Sequence, residues 1–107
     1  MSEQLAFEKR INGDYCLSGE LDRDTVPPFW SRRAEWLPSD SHVTLDLSLV
    51  KRVDSAGMAM LLHLQQQLKV NQQTLILSNT PSQLKVLLQL SNVESLFTDD
   101  TSSVRGE

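Results

Sequence analysis

A single cysteine, Cys16, stands in 107 residues, so no intrachain disulfide is available, which fits a reducing compartment. No apolar run approaches the ~18–20 residues that a membrane span needs. The opening Met1-Ser2-Glu3-Gln4 carries neither the basic nor the apolar region of a signal peptide. Basic residues are the scarcer charge: ten Lys and Arg face fourteen Asp and Glu, a formal net charge of −4 with a pI near 5.1. That shortage excludes a surface-wide footprint for nucleic acid or anionic lipid, and the pairs Arg32-Arg33 and Lys51-Arg52 read as solvated surface. A glycine-rich phosphate loop and His/Cys metal spacing are missing, which removes P-loop hydrolysis and zinc chemistry; no cofactor is expected. The expectation is one cytoplasmic domain without direct membrane insertion.

What is present is a globular composition, 39% hydrophobic, in a chain long enough for one ordinary core. Leu5 to Ile11 and Tyr15 to Ser18 flank Asn12-Gly13, the signature of a hairpin, and Gly19-Glu20-Leu21-Asp22 ends its second strand. A helix is predicted from about Thr25 to Leu37, with Thr25 or Asp24 as cap, Pro27-Pro28 in the first turn and Pro38 as its stop. Trp30 and Trp36 read as packing residues on that helix. Val43, Leu45, Leu47 and Leu49 alternate on the clearest strand, and Gln73 to Ser78 is a more continuously apolar one. The helical pattern from Ser55 to about Val70 joins them as a right-handed βαβ unit. A last helix follows Thr80-Pro81, with Leu84, Leu87 and Leu88 on one face. Residues 1–97 form the domain, and 98–107, with one apolar residue in ten, are expected to be a flexible tail. The fold class is α/β, helices on a mixed sheet.

The most informative residues are Val53-Asp54-Ser55-Ala56-Gly57, between the best strand and the longest helix. Asp54 can cap the helix, which leaves Ser55 at its first position with the hydroxyl near solvent. Ala56 and Gly57 keep the first turn slim, so that another protein can approach the backbone. A helix N-terminus has unpaired donors and a partial positive charge, and suits a phosphate on a ligand or on Ser55 itself. The plain alternative is a structural cap and nothing more. Beyond that turn, Gly57, Leu61, Leu64 and Leu68 share the core side at ~100° per residue. Met58 and Leu62 lie on another stripe above Ser55, either as a docking patch or covered by a neighbouring helix.

Gly19-Glu20-Leu21-Asp22, Leu45-Asp46-Leu47-Ser48 and Val53-Asp54-Ser55-Ala56-Gly57-Met58, in that order, resemble the motifs of STAS domains, the sulfate-transporter and anti-sigma-factor-antagonist family. Within it, Gly19 to Asp24, Pro28-Phe29-Trp30 and Leu61-Leu62-His63-Leu64 are most similar to the branch that serves phospholipid ABC transporters of Gram-negative bacteria as a small cytoplasmic subunit. The resemblance implies a four- to five-stranded mixed sheet with helices mainly on one face. It further implies no catalysis, and docking onto the transporter's ATPase subunit at the inner membrane in support of its assembly and activity. Asp54, Ser55, Ala56, Gly57, Met58 and Leu62 would make the contact. The alternative function is an anti-sigma-factor antagonist switched by phosphorylation of Ser55; such antagonists usually carry a second Ser or Thr where this chain has Ala56. An enzyme built on Asp54, Ser55 and His63 is disfavoured, because Ser55 and His63 are eight residues apart. That spacing is ~12 Å along a helix, too long for a proton relay.

Overall fold

The computed structural model describes residues 3–93 and 96–99. β1 (Ala6–Lys9) and β2 (Tyr15–Leu21) form the expected antiparallel hairpin. Its turn closes where Gly13 N–H donates to the Arg10 carbonyl at 3.0 Å and Arg10 N–H to the Asp14 carbonyl at 2.7 Å. β3 (His42–Val53), α3 (Ser55–Val70) and β4 (Thr74–Ser78) form the βαβ unit, with β3 and β4 parallel from His42↔Thr74 to Asp46↔Ser78. α4 (Ser82–Leu90) follows, and β5 (Thr98–Asp99) pairs parallel with β4. β2 is also parallel to β3, so the sheet, in the order β1-β2-β3-β4-β5, is mixed by virtue of its hairpin edge alone.

Two expectations change. The single helix expected over 25–37 is two short ones, α1 (Val26–Ser31) and α2 (Arg33–Trp36), broken at Arg32. The cause is aromatic. Seven residues of continuous helix would separate Phe29 and Trp36 by ~10 Å, yet their rings stack at 4.3 Å and 13°, and the Trp36 indole donates to the Phe29 carbonyl at 3.0 Å. Only a chain that folds back at Arg32 reaches that geometry. Of the tail expected over 98–107, Thr98–Asp99 are the fifth strand. Phe97 packs against the core and delivers the next two residues to the free backbone edge of β4, a pairing that needs no apolar side chains. The rest of the expected tail, 100–107, lies outside the described residues.

The core lies between one face of the sheet (Leu17, Val43, Leu45, Leu47, Leu75, Leu77) and the helices above it. Met60, Leu61, Leu64 and Leu68 of α3, Leu84 and Leu88 of α4 and Phe29 of α1 fill the layer, all 5% exposed or less. At ~25 cal/mol per Å² of apolar area this is the main stabilising contribution. The opposite sheet face carries Cys16, Asp46 and Ser78, which are register partners across β2, β3 and β4. Arg10 folds down from the hairpin over this row, ion-paired with Asp46 and donating to Cys16 Sγ at 3.1 Å. Cys16 is therefore buried beneath a guanidinium and lies outside the main core cluster.

Candidate functional site

The C-terminal ends of β2 and β3 converge on the start of α3, and a polar lattice fixes all three. Gly19 opens it with a φ of 106°, at a bulge where a side chain would run into the Gln4 carbonyl. The chain then delivers Asp22, only 1% exposed. Its carboxylate accepts from the backbone N–H groups of Asp24 and Thr25, both at 3.0 Å, and from Arg52 at 2.9 Å. Arg52 also reaches Glu20 at 3.6 Å, and so joins the ends of the two strands. Thr25, expected to cap α1, makes no side-chain cap; its hydroxyl donates back to the Glu20 carbonyl at 2.6 Å. The Gly19–Asp22 motif thus turns the chain from sheet to helix.

Asp54 performs the same service for α3. In extended conformation, its Oδ1 accepts from Ala56 N–H at 2.9 Å and Gly57 N–H at 3.2 Å, while its own N–H donates to the Leu21 carbonyl at 3.0 Å. The cap predicted from sequence is present, and it ties α3 to β2 as well. Ser55 is exposed at the first helical position.

The remaining expected contact residues separate in the structure. Gly57 is buried: a Cβ there would lie 2.5 Å from the Leu21 carbonyl oxygen and 2.6 Å from Leu21 Cβ. The slimness of the first turn therefore serves the approach of α3 to β2, and Gly57 offers nothing to a partner. Ala56 is half-buried, as are Met58 and Leu62, which share the stripe of Ser55 at positions three and seven further on. Met58 packs against the core cluster, whereas Leu62 is no part of it.

Ser55 and Asp54 form one side of a shallow groove of about 580 Å³. Val53 lies at its base, and Gln83, Val86 and Leu87 of α4 form the other side. Gln83 Oε1 accepts from Val53 N–H at 2.9 Å and so closes the end of β3. Val86 is 51% exposed, and Leu90, one turn further along α4, 78%. These α4 residues were not anticipated. The signal was available: Val86 and Leu90 are the apolar positions of α4 left over once Leu84, Leu87 and Leu88 are assigned inward. The arrangement suits protein contact. A small hydroxyl beside the capped start of α3 borders an apolar trough, while His63, the nearest candidate base along α3, lies against the Trp30 ring, 6.2 Å between centroids. Among the described residues no group of His, Cys, Asp and Glu could hold a metal ion, and no helix is long and apolar enough to cross a membrane.

With this geometry in view, the relatives fall into place. The family described as "Mlab, STAS domain" matches residues 15–98. The intermembrane phospholipid transport system binding protein MlaB of Escherichia coli K12 is 37% identical over 94 residues, 87% of this chain and 93% of that protein. The MlaB of Shigella flexneri matches to the same extent. The solved structure of the unphosphorylated anti-sigma factor antagonist SpoIIAA covers 96% of this chain and 97% of its own, with a TM-score of 0.67 at 18% identity, a likeness of fold alone. The chain belongs to the MlaB-type STAS domain family.

Proposed function

We propose that this STAS domain is the small cytoplasmic subunit of a phospholipid-transporting ABC complex that maintains outer-membrane lipid asymmetry. It docks on the ATPase subunit, peripheral to the inner membrane, and supports that subunit's assembly and activity without chemistry of its own. Two supports combine: the names of its relatives, which place MlaB in a phospholipid transport system, and the site itself. The observation that carries the reading is the exposed Ser55 hydroxyl on the rim of an apolar groove between the starts of α3 and α4. A hydroxyl is small enough to be covered by a partner and can exchange its water for a partner's hydrogen bond at little net cost. A carboxylate in the same place would be desolvated without a counter-charge, a penalty of several kcal/mol. Leu62, half-buried but outside the core cluster, supplies apolar area on the same stripe.

The test is co-purification with the transporter's ATPase subunit. Ser55→Glu and Leu62→Asp should each abolish it and leave the circular-dichroism melt close to that of the unaltered protein, while Ser55→Ala should retain it. Normal co-purification of both charged variants would move the docking surface elsewhere.

A further inference from the structure

At the other end of α3, on the far side of the molecule from the Ser55 groove, Arg33 and Trp30 build a second recess that the docking proposal does not use. Ser55 and Val70 are the first and last residues of this 16-residue helix, ~22 Å apart at 1.5 Å per residue. The recess has a volume of about 440 Å³ and is lined by Trp30, Arg33, His63, Gln66, Gln67 and Val70, among others. The Arg33 guanidinium lies over the Trp30 ring, 4.8 Å from its centroid. It is held there by two neutral acceptors: Nε donates to Gln67 Oε1 at 3.3 Å, and one terminal nitrogen donates to the Trp30 carbonyl at 3.1 Å. No ion pair among the described residues involves Arg33, and no lining residue is acidic. A planar cation is therefore fixed on an aromatic ring, with N–H donors to spare, in a protein whose net charge is −4.

We infer that this recess binds an acidic segment of a partner protein, one carboxylate engaging Arg33 and a neighbouring aliphatic side chain resting on Val70, which is 70% exposed. Charge complementarity selects the partner. A guanidinium fork prefers a carboxylate or phosphate oxygen pair to any neutral acceptor, and its immobilisation on Trp30 lowers the entropy lost on binding. Gln66 and Gln67 offer amide groups for the backbone of such a segment. A lipid surface fits less well. Anionic membranes are held by clusters of about four to eight Lys and Arg, whereas this recess has one Arg beside one His, in an acidic molecule.

The experiment is an NMR titration of the full chain with a capped tetrapeptide of Asp and Glu flanked by Leu, its Asn/Gln counterpart, and phosphatidylglycerol vesicles. The Trp30 indole N–H and His63 ring signals report on the recess. The Ala56 backbone N–H, bonded to the Asp54 cap at the opposite end of α3, is the internal reference for an intact fold. The acidic peptide should shift the Trp30 and His63 signals along a saturating curve and leave the Ala56 N–H in place. Arg33→Gln should weaken that binding by about tenfold or more, as expected for a lost charge-assisted pair. Val70→Glu, which removes no packed side chain and adds a carboxylate at the mouth, should weaken it too. The inference is overturned by the absence of a saturable shift, by equal shifts from the neutral peptide, by shifts from vesicles alone, or by full binding in Val70→Glu. Failure here leaves the Ser55 docking surface untouched, because that face is read by a separate co-purification.

Discussion

Replacement of Gly57 by alanine sets two physical effects against each other, and the structure decides the sign. Helix propensity alone favours Gly57→Ala by up to about 1 kcal/mol, less so within a first turn. Against it stands the approach of α3 to β2: the added methyl would sit 2.5 Å from the Leu21 carbonyl oxygen, a backbone atom that cannot swing aside. Carbon and oxygen in ordinary contact need roughly 3.4 Å or more, so the start of α3 must retreat by the better part of an ångström. Retreat would stretch the Asp54 N–H bond to the same carbonyl, now 3.0 Å, and the Asp54 cap behind it. Overpacking of this kind costs about 1–3 kcal/mol. Net of propensity, we expect a loss of about 1–2 kcal/mol, or roughly 5–10 °C in the melting temperature of a domain this size. Thermal and urea unfolding followed by circular dichroism measure it, with Ala59→Gly on the exposed side of the same helix as the propensity control. Co-purification with the ATPase subunit should fall as well, because Ser55 rides on the displaced turn. A Gly57→Ala protein as stable as the parent would refute the close approach and, with it, the reason for a glycine at this position.

Two further outcomes follow from the polar lattice. Burial alone would push the Asp46 carboxyl up, but hydrogen bonds from Asn79 and Ser48 and the Arg10 guanidinium outweigh it and hold the group down at about 2. Because the folded value lies below the unfolded one, near 3.9, the stabilisation is present above about pH 4 and lost as pH falls towards 2. Its size is about 2 kcal/mol. Urea midpoints over that range should drop more steeply for the parent than for Asp46→Asn, and parallel slopes would contradict the assignment. Asp54→Ala removes the cap of α3 and should cost about 1 kcal/mol, read as a lower urea midpoint with an unchanged slope; no loss would mean that water replaces the carboxylate without penalty.

Much of this could be read along the chain because it is local. Alternation fixes the inward face of β3 at Val43, Leu45 and Leu47 but fails at Leu49, the next in the pattern, which is exposed beyond a register shift between β2 and β3. Helical spacing fixes the inward face of α3 at Gly57, Leu61, Leu64 and Leu68. Asp54 announces its cap three residues before the glycine whose N–H it accepts. The features that escaped depend on partners distant in sequence. Arg10 reaches Asp46 across 36 residues, and the break at Arg32 is set by two stacking rings. Gly57 is explained only by Leu21, and β5 by an unpaired backbone edge. Of the candidate site, Asp54, Ser55 and the Met58–Leu62 stripe were legible from periodicity and capping. The α4 side of the groove was not, since it becomes a neighbour only after β4 brings the chain back.

The most direct measurement is photo-crosslinking in the assembled transporter, with benzoylphenylalanine placed at position 55 and, separately, at Ser18 on the opposite sheet face. Crosslinks from position 55 to the ATPase subunit, and none from position 18, are the predicted result. Capture of the ATPase from position 18 while position 55 yields nothing would contradict it.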